Sequence, residues 1–179
     1  MAGHDRWVQL ALLLAFCTPQ PAASYGSAPG NCDTPNHGGN SAAAVTGTLT
    51  FHNAAGDAVT SGAPGEDLTV RITDTSAGFA GFLLKVSGAG AGSLSQCAGG
   101  GALATCGAAT KTCPGVDAVG HSAADCGAAV CSFSGTKAFT VTLPGSGTVT
   151  ASGVVVNANN ARKWYTLPSA SITVEAAAV

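Results

Sequence analysis

Short runs in which apolar and polar residues alternate constrain this chain more than any other feature. "DLTVRIT" (67–73) puts Leu68, Val70 and Ile72 on one side and Thr69, Arg71 and Thr73 on the other. "VTGTLTF" (45–51) sets Val45, Leu49 and Phe51 on one face, and "FTVTL" (139–143) repeats the pattern. "GTVTASGVVVNA" (147–158) is a longer strand candidate, with a kink or bulge expected at Gly153; "KWYTL" and "SASITVE" follow as further strands. A period of two means that one face of each segment is buried and the other is wet. "NAAGDA" (53–58), "SGAPGED" (61–67) and "LPGSGT" (143–148) hold the Gly, Pro, Asn and Asp that chain reversals need. No stretch after residue 24 carries a helical stripe. The pattern predicts an all-β domain, an immunoglobulin-like antiparallel β-sandwich.

"GFAGFLLKVSG" (78–88) departs from this rhythm, because Phe79, Phe82, Leu83 and Leu84 crowd together around one lysine. The choice is between a buried strand, a membrane-seeking loop and a binding ledge. Clustered large apolar residues beside a sandwich favour core. Phe79, Phe82 and Leu84 are expected to fill the space between two sheets. Gly78 and Gly81 would allow a bulge or a close backbone approach, and Lys85 would reach outward to water.

The segment "SGAGAGSLSQCAGGGALATCGAATKTCPG" (87–115) is glycine-rich and holds three cysteines. It is expected to form one or two poor strands and a long loop that buries little apolar surface, so cross-links must compensate. Residues 1–24 read as a secretory signal peptide: Arg6, then the apolar run Trp7–Phe16, then small residues with cleavage expected after Ser24 or Ala23. Residues 25–179 then form a single domain, and no later segment is apolar enough to span a membrane. Cys17 leaves with the leader. Cys32, Cys97, Cys106, Cys113, Cys126 and Cys131 remain, an even set that implies a disulfide framework in a secreted chain. Their spacing includes no C-x-x-C pair and matches no zinc site. Only 9% of residues are charged and the net charge is −2, with dispersed basic residues, which argues against a nucleic-acid partner.

The residue types of several chemistries are present without the arrangement those chemistries need. Cys32 and His37 lack the second thiol and the adjacent histidine of covalent haem. His37, His52 and His121 lie far apart in the sequence, so each reads as a surface or hydrogen-bonded histidine and no metal is expected. His121, Ser122 and Asp125 have the residue types of a hydrolytic triad, but local adjacency supplies neither its geometry nor an oxyanion hole. Asp57, Glu66, Asp67 and Asp74 match no EF-hand and read as solvated loop acids. No P-loop and no N-glycosylation sequon occurs. The chain is therefore expected to be non-enzymatic and without cofactor. "RKWY" (Arg162, Lys163, Trp164, Tyr165) is the one basic-aromatic cluster, with one ring expected in the core and the other exposed beside the two cations as a candidate binding edge.

Six pieces, in order, resemble the reeler domain family, the module found near the N-terminus of reelin and F-spondin. They are "CDTPNHGG" (32–39), "APGEDLTVRI" (63–72), "GFAGFLLKV" (78–86), "CPGVDAVGHS" (113–122), "FTVTLPGSGTVTASGVVV" (139–156) and "RKWYTLPSASITV" (162–174). The resemblance spans Tyr25 to Val174. It implies a disulfide-stapled sandwich with extracellular, non-catalytic roles in matrix assembly, adhesion or recognition of surface polymers, with a matrix protein, cell-surface protein or polysaccharide as partner. It also implies a Cys32–Cys113 bridge, which leaves Cys97–Cys106 and Cys126–Cys131 as the simplest local pairs. A defence protein that binds glycans or microbial polymers and a redox accessory domain are the alternative readings.

Overall fold

A computed structural model describes residues 44–75, 81–88, 94, 96–121, 135–156 and 164–175. In these, twelve strands form two sheets. They are β1 (Gly47–His52), β2 (Ala58–Val59), β3 (Ser61–Gly62), β4 (Asp67–Asp74), β5 (Gly81–Ser87), β6 (Gln96–Cys97), β7 (Gly101–Ala102), β8 (Ala108–Cys113), β9 (Val116–His121), β10 (Thr136–Thr142), β11 (Gly147–Val156) and β12 (Trp164–Val174). The first sheet runs β2-β1-β4-β10-β6-β7 and the second β3-β12-β11-β5-β9-β8. All described pairings are antiparallel except the short β12–β3 contact. The result is the expected immunoglobulin-like antiparallel β-sandwich.

The alternating runs explain the layers. Leu68, Val70 and Ile72 of β4 and Phe139 and Val141 of β10 point between the sheets and are buried. In β1 the inward positions are Gly47, Leu49 and Phe51. Val45 was expected to join them, but it precedes the strand and is 56% exposed. Asn53 closes the β1–β2 turn, its Oδ1 accepting from the Asp57 amide at 2.9 Å. Glu66 plays the same part before β4, its carboxylate accepting from the Ala63 amide at 2.8 Å.

The crowded stretch resolves as core. Phe82, Leu84 and Val86 of β5 enter the main core, while Leu83 faces outward into a second cluster with Cys113 and Ala118. β5 thus has apolar cover on both faces, and that is why its apolar residues do not alternate. Phe82 stacks obliquely on Phe139 of the opposite sheet, ring centroids 5.5 Å apart. Phe79 lies outside the described residues.

The irregularity expected near Gly153 is present, and its extra residue sits on the partner strand. Ala151 pairs with Ala170 but Gly153 pairs with Leu167, so β12 carries one more residue around Pro168–Ser169. Proline has no amide hydrogen to give to a ladder and fits such a site. The bulge changes the parity of β12: Tyr165 and Leu167 face the core, then Ile172 and Val174 do. Trp164–Leu167 and Ser169–Val174, expected in separate strands, belong to one strand.

The glycine-rich segment is more ordered than expected. Its described part contains the β6–β7 hairpin, a single 3-10 turn at Leu103–Cys106 and the six-residue strand β8. A disulfide joins Cys97 to Cys106, Cα atoms 6.2 Å apart. Lys137 of β10 ties the same segment to the first sheet, its ammonium donating to the Cys106 carbonyl at 2.6 Å. Cys113 is also disulfide-bonded; Cys32, Cys126 and Cys131 lie outside the described residues. The Cys97–Cys106 bridge closes a loop with a sequence separation of nine. Chain-entropy arguments give such a loop about 2–3 kcal/mol. A Cys97→Ser, Cys106→Ser double variant is expected to lose that much in denaturant titration, with the sheets intact by circular dichroism.

Candidate binding surface

Neither ring of "RKWY" is exposed, where one was expected to be. Trp164 is 6% exposed and Tyr165 1% exposed, so neither ring is free for stacking. Tyr165 points into the main core, and Trp164, on the opposite face of β12, is covered together with Val154 and Val156 of β11. The expectation of one exposed ring assumed that the outer face of this strand is wet; here it carries an apolar cluster. Arg162 and Lys163 lie outside the described residues.

Tyr165 instead anchors a buried polar node between the sheets. Its hydroxyl donates to Asp74 Oδ2 at 2.8 Å, and the Thr46 hydroxyl donates to Asp74 Oδ1 at 2.8 Å. Asp74, expected as a solvated acid, is buried at the end of β4. Gly47 makes room for this arrangement, since a Cβ there would lie 2.5 Å from the Tyr165 oxygen. Burial holds the phenol proton on, well above the ordinary tyrosine range; the Thr46 hydrogen bond opposes this and the Asp74 carboxylate adds to it.

The histidines are structural in the described residues. His121 is buried, its Nδ1 lying 3.3 Å from the Phe82 amide nitrogen and 3.4 Å from the Phe82 carbonyl oxygen. Gly81 supplies the space, because a Cβ there would come within 2.8 Å of the His121 ring. His52 is clamped on the rim of the first sheet, Nδ1 2.9 Å from the Gly56 carbonyl and Nε2 2.8 Å from the Thr50 hydroxyl. A carbonyl can only accept, so Nδ1 donates to Gly56. His37, Ser122 and Asp125 lie outside the described residues. Among the described residues no three His, Cys, Asp or Glu side chains come close enough to hold a metal ion. Asp67 accepts from the Thr142 hydroxyl, and Glu66 is occupied with its turn.

Among the described residues, the outer face of the first sheet presents rows of polar side chains. Cross-strand register aligns Thr48, Thr73 and Thr136 in one row and Thr50, Arg71 and Ala138 in the next. His52, Thr69, Thr140 and Gln96 make a third. The alternation in "DLTVRIT" shows that Thr69, Arg71 and Thr73 share a face. Which residues of other strands stand beside them is decided by pairings distant in sequence, and no local signal carries that.

No protein-family model matches the sequence, and a search of curated proteins returns no relative. Solved structures do match. The chain is similar to the Reelin-N domain of F-spondin, with a TM-score of 0.51, 14% identity, and coverage of 77% of this chain and 92% of that one. A human F-spondin reeler domain matches at a TM-score of 0.48 and 15% identity, covering 79% of this chain and 93% of that chain. The C-terminal domain of the Streptococcus pyogenes antigen I/II-family protein AspA matches at 0.45 and 15% identity, covering 74% and 47%. The fold is that of a reeler domain.

Proposed function

We propose that this chain is a secreted, non-enzymatic module that works in extracellular adhesion or matrix assembly. The observation that carries this reading is the shared fold with the Reelin-N domain of F-spondin. Two features support it. The sequence opens with a leader-like segment, and the described fold contains a disulfide, a bond that persists in oxidising compartments. A broad, polar sheet face lies among the described residues, and such a face suits a wide and repetitive partner. That face favours the recognition of surface polymers as the second reading.

The test is expression in a secretory host, followed by incubation of the secreted chain with extracellular matrix or cell-wall material from the source organism. Intact mass should show a chain beginning at Tyr25 or Ser24, and the matrix material should retain it. A chain kept inside the cell with its leader intact, or one washed from the matrix as freely as albumin, would contradict the proposal.

A further inference from the structure

One side of β10 is covered by a small and separately fastened hairpin. β10 has seven residues and pairs with β4 along its whole length. On its other side, among the described residues, β6 pairs with it at Phe139 and Thr140, and the Ala98 amide donates to the Ala138 carbonyl at 3.0 Å. β6 and β7 have two residues each, turned at Gly99 and Gly100, both with positive φ. A hairpin of that size does not hold together unaided in water. The Cys97–Cys106 bridge ties β6 to the 3-10 turn that follows β7, and the Lys137 ammonium fastens the Cys106 carbonyl to β10. Leu94 in the core and Leu103 packed against it anchor the two ends of the segment.

The strand beneath has the composition of one that pairs readily. "TKAFTVT" (136–142) is β-branched or aromatic at five of seven positions, carries one charge and contains no proline or glycine. Segments of this kind add to other strands once an edge is uncovered. Proline, a bulge or clustered charge guards many natural edges. β10 has no proline, and its register with β4 is unbroken. The stapled hairpin takes the place of those guards. Antiparallel pairing is self-complementary about a two-fold axis, so a second copy of β10 is the partner that fits this edge.

We propose that the Cys97–Cys106 disulfide is a redox switch of assembly. While it is intact, the β6–β7 hairpin covers β10 and the chain stays single. Once it is reduced, the hairpin lifts and β10 pairs with β10 of a second copy. The reductant is a dithiol. One of its thiolates attacks Sγ of Cys106, the more exposed of the two residues, and the electron pair of the S–S bond leaves on Cys97, which takes a proton. The second thiol of the reductant then displaces Cys106 as a thiol. The protein gains two electrons and two protons, and the dithiol departs as a disulfide. A dimer offers two copies of every surface to a repetitive partner, which strengthens retention without a new contact. The inference goes beyond the adhesion reading and does not depend on it.

The experiment follows the full secreted chain by sedimentation velocity and by residue-resolved amide exchange. Oxidised wild type should sediment as a monomer. Cys97→Ser with Cys106→Ser should form a dimer at least tenfold more tightly than wild type. At a dilution where that variant is monomeric, the Thr140 amide, which faces the hairpin, should exchange at least tenfold faster than in wild type. The Val141 amide, which faces β4, should keep its protection. Adding Thr140→Lys should restore the monomer, because it sets like charges across the new pairing. Titration of wild type with dithiothreitol, each bridge mapped by alkylation, decides the matter should the serine variant fold poorly. Dimer should then appear in step with reduction of Cys97–Cys106. A folded serine variant that stays monomeric, or a dimer indifferent to Thr140→Lys, would overturn the proposal. So would a dimer that appears only as the Cys113 bridge is lost, or wild type that stays monomeric once Cys97–Cys106 is reduced.

Discussion

Phe82→Ala is expected to destabilise the domain by about 3–5 kcal/mol, the usual range when a buried phenylalanine is truncated in a close-packed core. The site offers little scope for collapse. Phe82 is fully buried, its ring rests on Phe139 of the opposite sheet at 5.5 Å, and its main chain lies against the buried His121 ring. A loss of this size is a large share of the stability of an ordinary domain, so secretion yield should fall with it. Chemical denaturation gives the number directly. A soluble variant of unchanged stability that had lost binding would return "GFAGFLLKV" to the class of binding ledges.

Asp74→Ala is expected to cost about 2–4 kcal/mol, because it strips the acceptor from two hydroxyls: a fully buried one, which costs about 1–3 kcal/mol when left unsatisfied, and a half-buried one, which costs less. Those groups are the Tyr165 and Thr46 hydroxyls. Tyr165→Phe removes one donor and should cost less. It also separates a pH effect. The folded state holds the Tyr165 proton more tightly than the unfolded chain does, first because the phenol is buried and also through Asp74. The stability from this preference is fully present below the ordinary tyrosine value of about 10 and is lost as pH rises above it. Wild-type stability should therefore fall more steeply than that of Tyr165→Phe on going alkaline. Parallel slopes for the two proteins would show that the node does not couple to folding.

Strands β4 and β10 were legible because one face meets the core and the other meets water, so burial writes itself into the sequence as alternation. β5 and the end of β11 lack that signature because both faces are covered, and a two-sided buried strand shows only as an apolar run. β12 reads as two pieces because a single extra residue at Pro168–Ser169 reverses which positions face inward. The same local assumption implies an exposed ring in "RKWY". Trp164 is covered by its neighbours on β11, a contact that only the sheet pairing reveals. The Asp74–Tyr165 bond and the threonine grid around Arg71 share this property. Each joins residues far apart in the chain, and their chemistry exists only once register is set. The disulfide pairing of Cys97 with Cys106 followed from the family resemblance and from proximity in sequence, and the fold places both in one hairpin and turn.

The inner faces of the two sheets hold the fold, and the proposed role outside the cell turns on what retains the folded chain. The most direct test is one paired measurement: retention on source-organism matrix and stability to denaturant, read together for wild type and Phe82→Ala. Folded wild type should be retained, while Phe82→Ala should lose about 3–5 kcal/mol of stability and lose retention only as far as it unfolds. Wild type washed from the matrix as freely as albumin would contradict the proposed role, and Phe82→Ala of unchanged stability would contradict the core.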